Sequence, residues 1–261
     1  MSAAAAAATA SKLPAGTPRI RCVGVSKHYH GRPILHGVDL EIRTGEILGI
    51  IGPGGHGKSV LLKHLPRLVA PDAGRVLVDG HDLAKLSAFE LARLREGFGY
   101  LFQNYALFDF MTVADNVAFP LRQERKRSAA DIDAAVAERL AEVGLAHAGH
   151  QYARELSGGM KKRVGLARAT ISDPTIALYD DPTAGLDPVT SSRIFALIAR
   201  MHAKTPGCAT VVVSHDIDRM RPICHRYVMV EEGRIVFDGS EAALASAPPA
   251  VHAFFFGEAE A

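Results

Sequence analysis

The sequence of 261 residues has few cysteines, little net charge and no long apolar run. Its cysteines, Cys22, Cys208 and Cys224, form neither a CxxC pair nor an even-numbered framework, which favours a reduced, cytosolic setting. A net charge of +2 is too small to indicate nucleic acid or an anionic membrane as the partner. Because no apolar run approaches the ~20 residues of a membrane-spanning helix, we expect any membrane association to depend on another chain.

The beginning of the chain differs in composition from the remainder. Residues 1–18 are rich in alanine, serine, threonine and proline, and they lack the charged start and bulky apolar centre of a signal peptide. We expect residues 1–18 to form a disordered, frayed tail. One domain should follow over residues 19–261 and end in a short helical tail from about residue 240.

Strand and helix patterns then follow in a characteristic order. Alternating apolar and polar residues over 38–42 predict a half-buried antiparallel strand, and residues 46–51 form a short apolar strand. Helical patterns dominate from about 85 to 168, after which two apolar runs, 175–179 and 210–213, flank a helix over 191–204. This order predicts a doubly wound α/β core that binds ligands at the carboxyl ends of its strands.

A glycine-rich loop that fits GxxxxGK[ST] lies between the strand at 46–51 and a helix predicted over 58–68. Such a loop presents backbone N–H groups to phosphate, helped by the helix N-terminus behind it. Lys58 would contact the β and γ phosphates, and the Ser59 hydroxyl would ligate Mg²⁺. A chance glycine-rich turn is the alternative, but a strand before the loop and a helix after it favour phosphate binding. The candidate nucleotide-binding residues here are Gly52, Pro53, Gly54, Gly55, His56, Gly57, Lys58, Ser59 and Val60.

Two carboxylates follow the apolar run that ends at Tyr179. Asp180, at the end of a strand, could hold Mg²⁺ beside a triphosphate; capping the next helix is the simpler alternative. The phosphate loop favours the metal role. Asp181 then stands where a carboxylate would polarise the attacking water.

A second candidate anion site comes from Leu156-Ser157-Gly158-Gly159-Met160. By itself the segment would be a capped helix start with a solvated basic turn at residues 161–163. The hydroxyl of Ser157 and two flexible N–H groups at a helix N-terminus also suit phosphate. One triphosphate on one chain does not need two such sites, whereas a head-to-tail dimer does.

With these motifs in this order, residues 19–240 resemble ABC-type nucleotide-binding domains. The resemblance implies a P-loop NTPase fold, with a RecA-like α/β core, an antiparallel β subdomain and a helical subdomain inserted over about 85–168. It also implies ATP and Mg²⁺ as cofactors, and ATP hydrolysis coupled to transport. Two copies would sandwich two ATP molecules, each between the loop of one copy and Ser157, Gly158 and Gly159 of the other.

The same resemblance implies roles for further residues. Tyr29 resembles the aromatic residue that stacks on adenine, and Asp187 belongs to a segment that resembles the D-loop. His215 resembles the switch histidine that holds the γ-phosphate, and Gln103 the glutamine that links Mg²⁺ and water to the permease-facing loop. The implied catalytic residues are Asp181, His215 and Gln103; the implied metal ligands are Ser59, Gln103 and Asp180. The family usually has Glu where this chain has Asp181, which predicts slow hydrolysis.

The resemblance also implies partners and a location. An integral-membrane permease would hold the protein at the cytoplasmic face of the inner (plasma) membrane. Residues 101–109, 116–122 and 155–163 look like those of the ATPases of Mce-associated, Mla-type phospholipid transporters, which implies lipid transport with an MCE-domain partner. The alternatives are the ATPase of an importer for small polar solutes such as amino acids, and a soluble ABC ATPase acting on ribosomes or DNA. The latter generally has two cassettes or a long coiled coil, and neither is visible in the sequence.

Overall fold

A computed structural model describes Pro14 and residues 16–257. The tail predicted over residues 1–18 therefore lies mostly outside the described residues. The chain already contacts the rest of the domain at Gly16, whose N–H donates to the carbonyl of Thr44 at 3.1 Å. The first strand starts at Pro18.

An antiparallel sheet of four strands covers one side of the molecule. Its strands are β1 (Pro18–Tyr29), β2 (Arg32–Arg43), β4 (Ala73–Val78) and β5 (His81–Asp82), in the order β2-β1-β4-β5. The alternation predicted over residues 38–42 is confirmed, since Val38, Leu40 and Ile42 are buried and Asp39 between them is exposed.

A second sheet of six strands forms the centre of the fold. It contains β3 (Ile47–Ile51), β6 (Phe98–Leu101), β7 (Ile176–Asp180), β8 (Ala209–Val213), β9 (Arg226–Glu231) and β10 (Arg234–Gly239), in the order β10-β9-β3-β8-β7-β6. Every pair of neighbouring strands is parallel except β9 and β10, which are antiparallel. Every residue of β3, β7 and β8 is buried, as expected for parallel strands covered on both faces.

The described part of the chain contains eight α-helices, seven of which lie between strands while the last follows β10. They are α1 (Lys58–His64), α2 (Ala88–Arg95), α3 (Val113–Glu124), α4 (Ala129–Glu142), α5 (Gly158–Thr170), α6 (Pro188–Lys204), α7 (Ile217–Met220) and α8 (Pro249–Phe256). Thr112, Ser128 and Ser157 begin α3, α4 and α5 by accepting a backbone N–H three residues ahead. None of the helices in the described residues is long and apolar enough to cross a membrane.

The structure corrects two boundaries. α1 ends at His64 instead of residue 68, and Pro66 follows, which has no N–H to continue the helical hydrogen bonds. Helical patterns dominate the sequence from about 85 to 168, but this region also contains β6, an edge strand of the central sheet paired with β7. β6 has only four residues, one of them glycine, which gives too little periodicity to mark a strand. The helices that pack together as a unit, α3, α4 and α5, come after it.

Two apolar cores lie on the two faces of the central sheet. Leu48 and Ile50 of β3 belong to the core shared with the antiparallel sheet. Ile47 and Ile51 belong to the core shared with α3, α4, α5 and α6. This layering brings the carboxyl ends of β3, β7 and β8 to one edge, where the candidate site lies.

Candidate functional site

The loop from Gly52 to Gly57 joins β3 to α1, and two of its glycines are sterically required. Gly52 has φ of 135°, and a Cβ there would lie 2.0 Å from the carbonyl oxygen of Val230. Gly57 has φ of 99°, and a Cβ would lie 2.8 Å from the carbonyl oxygen of Ile34. Other residues rarely adopt these angles, so the tight loop depends on glycine at both positions.

The Lys58 side chain lies inside this loop. Its Nζ donates to the carbonyls of Gly52 and Pro53, both at 2.6 Å, and the residue is buried. Burial lowers the pKa of Lys58, while the negative charges of Asp181 and Asp180 oppose that shift. An ammonium is therefore fixed at the loop where phosphate would bind.

Ser59 and Asp180 form a pair of oxygen donors. The Ser59 hydroxyl donates to Oδ1 of Asp180 at 2.7 Å, and Asp180 is the buried last residue of β7. Burial raises the pKa of Asp180, against the hydrogen bond from Ser59 and three nearby lysines. No group of three or more acidic, His or Cys ligands for a metal occurs among residues 14 and 16–257. The pair fits Mg²⁺, which is usually held by one or two carboxylates together with substrate phosphates and water.

A cleft of about 280 Å³ opens beside this pair. The structure brings Tyr29, Gln103, Asp181 and His215 to it, together with part of the phosphate loop. Its lining residues are Tyr29, Ile34, Gly55, Gly57, Lys58, Ser59, Val60, Gln103, Asp181, Val213 and His215. The cleft thus combines an aromatic ring, a cation, hydroxyl and carboxylate oxygens and an imidazole.

Asp181 has an unusual backbone conformation at the floor of the cleft. Its φ is +47°, and its N–H donates to the carbonyl of Val213 at 2.9 Å. Its own carbonyl accepts from Nζ of Lys162 at 3.0 Å. Burial raises the pKa of the Asp181 carboxyl, and the neighbouring His215 and Lys162 oppose that shift. Hydrogen bonds therefore hold the backbone on both sides of the Asp181 Cα.

Several sequence-predicted residues do not line the cleft: Gly52, Pro53, Gly54, His56, Ser157, Gly158, Gly159, Asp180 and Asp187. Asp180 is nevertheless bonded to Ser59, which does line it. Ser157, which precedes Gly158 and Gly159, accepts the N–H of Met160 at 3.3 Å as the cap of α5. Asp187 caps α6 by accepting two backbone N–H groups at 3.0 Å. A hydrogen bond from the Thr190 side chain, together with these backbone bonds, holds the pKa of the Asp187 carboxyl below its usual value. The His56 ring faces the β9–β10 hairpin, where Nδ1 accepts the N–H of Glu232 at 3.0 Å. His56 therefore belongs to the loop through its backbone, and its ring fastens the loop to the hairpin.

Sequence reasoning missed Lys162 and Ile34. The simplest expectation for residues 161–163 was a solvated basic turn, yet Lys162 is only 1% exposed. The sequence did contain an indication of burial, because Gly165, Leu166 and Ala169 lie three, four and seven residues after Lys162 and so share its face of the helix. In the structure all four residues are buried. Ile34, which lines the cleft from β2, has no distinguishing sequence feature.

Residues 35–184 match the ABC transporter family. The chain is 44% identical over 219 residues to the methionine import ATP-binding protein MetN of Caulobacter vibrioides, covering 83% of this chain and 65% of that protein. It is 39% identical over 247 residues to the probable ribonucleotide transport ATP-binding protein mkl of Mycobacterium leprae, covering 94% of this chain and 71% of that protein. A dimeric, post-hydrolysis structure of the ATP-binding cassette MJ0796 bound to ADP and Pi matches with a TM-score of 0.79 and 30% identity, over 85% of this chain and 98% of that chain. The chain spans less than two thirds of the length of the methionine import proteins that it matches first.

Proposed function

The chain belongs to the ABC transporter family, and from that premise we propose that it hydrolyses ATP as the nucleotide-binding subunit of a transporter. The observation that carries the proposal is the cleft in which Lys58, the Ser59–Asp180 pair and Asp181 meet. In the proposed reaction a water molecule attacks the γ-phosphorus, the bond from phosphorus to the β–γ bridging oxygen breaks, and ADP and phosphate leave.

Each side chain at the cleft has a proposed task. The loop N–H groups and Lys58 bind the phosphates, and Tyr29 stacks on adenine. Asp181 accepts a hydrogen bond from the attacking water, and His215 holds the γ-phosphate. Ser59, Asp180 and Gln103 would hold Mg²⁺, which when bound neutralises charge on the β and γ phosphates.

A second copy of the chain completes the site in this proposal. Ser157, Gly158 and Gly159 do not line the cleft of their own chain, so they are free to contact the γ-phosphate held by another copy. The Ser157 hydroxyl accepts the N–H of Met160 and still has its own O–H to donate. Asp187, exposed at the start of α6, would approach the same interface.

The proposed permease site is a groove of about 660 Å³ between β6 and α3. Phe102, Phe108, Phe119 and Pro120 provide apolar lining, and charged side chains including Arg95 and Glu124 also line the groove. A short amphipathic helix of a permease would suit this combination. Docking there would recruit the protein to the membrane.

For the cargo, we propose import of a small polar solute such as an amino acid. Its support is the 44% identity to a protein named for methionine import. Phospholipid transport with an MCE-domain partner is the second candidate, and the sequence of the permease-facing segment 101–122 favours it. Relatives named for methionine and ribonucleotide transport match at 44% and 39% identity.

The ATPase proposal is tested by phosphate release from Mg²⁺–ATP by the full chain, with Lys58→Ala as the inactive control. The dimer is tested with Asp181→Asn, which should dimerise with ATP and Mg²⁺ and not with ADP. Adding Ser157→Arg should abolish that dimer, because the side chain would occupy the place of the γ-phosphate. Monomers under all conditions, with the permease also present, would contradict the sandwich.

The cargo is tested in proteoliposomes that contain the co-purified permease. ATP-dependent methionine uptake without movement of labelled phospholipid would support the importer. Phospholipid movement without uptake would support the second candidate. Charge reversal at Asp109, which follows Phe108 of the groove lining, should weaken co-purification with the permease. Co-purification that survives this change would argue against the groove as the docking site.

A further inference from the structure

Lys162 is a buried cation that joins three parts of the candidate site. It lies in the first turns of α5, and its Nζ donates to the carbonyl of Gln103 and to the carbonyl of Asp181, each at 3.0 Å. The same Nζ lies 4.8 Å from the centre of the Tyr105 ring. Only 1% of the residue is exposed.

An ammonium at this depth needs compensation, because removing it from water is costly unless polar partners replace the water. Two carbonyls and one aromatic face supply that replacement, and the carboxylates of Asp181 and Asp180 act on the same charge from further away. A methionine of similar length would fill the volume with no desolvation cost. Filling space alone therefore does not explain a lysine here.

The contact with Asp181 matters because of the conformation of that residue. Its φ of +47° is one that residues other than glycine seldom adopt. The N–H of Asp181 is fixed by Val213 of β8, and its carbonyl is fixed by Lys162. Without the second bond the backbone after the Asp181 Cα would be freer to rotate, and the direction of the side chain that this Cα bears would be less fixed.

We infer that Lys162 is a positioning residue for hydrolysis, which sets the direction of the Asp181 carboxylate by holding the Asp181 carbonyl. The inference rests on the proposed ATPase function. Because Lys162 contacts the backbone of Asp181 and does not line the cleft, its loss should affect the chemical step more than nucleotide binding. Geometry at a reacting water is strict, and a displacement of ~1 Å can cost about a hundredfold in rate.

The test compares steady-state ATPase and ATP affinity in four full-length proteins: the parent, Lys162→Met, Lys162→Arg and Lys161→Met. Lys162→Met removes the donors and keeps the length, and it should lower kcat about tenfold or more with the Kd for ATP within about twofold of the parent. Lys162→Arg restores donors and charge and should recover much of the rate. Lys161→Met removes one charge from the same turn of α5 and should behave as the parent.

A double-mutant cycle separates positioning of Asp181 from a general effect on the fold. If Lys162 acts through Asp181, then Lys162→Met should cost little further rate in an Asp181→Asn background, measured in single turnovers. Additive losses would overturn the inference. So would a kcat within about twofold of the parent, or a loss of ATP affinity that parallels the loss of rate. A parent no more active than Lys58→Ala would instead overturn the proposed function, and this inference with it.

Discussion

Replacement of Asp181 by glutamate tests whether the length of the carboxylate proposed to assist hydrolysis limits the rate. The change extends the side chain by one methylene, about 1.5 Å. The backbone cannot easily make up that distance, because Val213 and Lys162 hold the N–H and the carbonyl of Asp181. Since a catalytic group misplaced by ~1 Å can lower the rate about a hundredfold, we expect Asp181→Glu to raise kcat by about 10- to 100-fold.

The same replacement should carry a cost in stability. Aspartate tolerates the left-handed conformation better than glutamate does, because its short side chain can hydrogen-bond locally. At φ of +47° we expect Asp181→Glu to lower the free energy of unfolding by about 1 kcal/mol. The ATP affinity should stay unchanged, because Lys58, Ser59 and Asp180 are not altered.

The assay is phosphate release at saturating Mg²⁺–ATP, alone and in the assembled transporter, with denaturant unfolding of the same proteins. Asp181→Asn is the control, and it should nearly stop turnover while it still binds ATP. If Asp181→Glu is no faster than the parent, the backbone already places the shorter acid correctly. The prediction of slow hydrolysis would then be wrong.

Three further changes test other parts of the structure. Gly99→Ala should lower the free energy of unfolding by about 1–3 kcal/mol, because a Cβ would lie 1.9 Å from the carbonyl oxygen of Ala169. Denaturant unfolding measures this change, and unchanged stability would mean that α5 does not pack this closely on β6. Asn116→Ala should lower the free energy of unfolding by about 2–3 kcal/mol, because the buried amide of Asn116 bonds to the N–H and the carbonyl of Phe108, which lines the groove. The change should also weaken permease binding. An unfolding free energy equal to that of the parent would contradict this role of Asn116. Burial raises the pKa of Cys22 and Cys224 to about 12 and also raises that of Cys208, so at pH 8 a thiol reagent should label the native protein far more slowly than the denatured one. Cys22 and Cys208 are buried and Cys224 is partly buried, so rapid labelling of Cys22 or Cys208 in the native protein would contradict the structure.

The sequence predicted the elements whose pattern is contained in one continuous segment of several residues. The phosphate loop combines glycines, lysine and serine in one continuous segment, and the helix over 191–204 has several turns of periodicity. β6 has four residues, so its identity as a strand depends on pairing with β7, which is distant in sequence. The side chain of Lys162 likewise depends on tertiary contacts, because its partners at residues 103 and 181 come from other elements. The same holds for His56, whose ring contacts a hairpin over 170 residues away.

The two hydrogen bonds that Lys58 makes to the loop carbonyls have a kinetic consequence. A free lysine loses up to ~2 kcal/mol of rotamer entropy when it is ordered, and here that loss accompanies folding instead of each arrival of nucleotide. The ammonium has three donors, so one N–H remains to meet a phosphate while the other two keep the loop in shape. Departure of ADP and entry of ATP then need no rearrangement of Lys58. In the proposed dimer, the opening and closing of the two subunits should therefore set the rate of nucleotide exchange, because the loop needs no rearrangement.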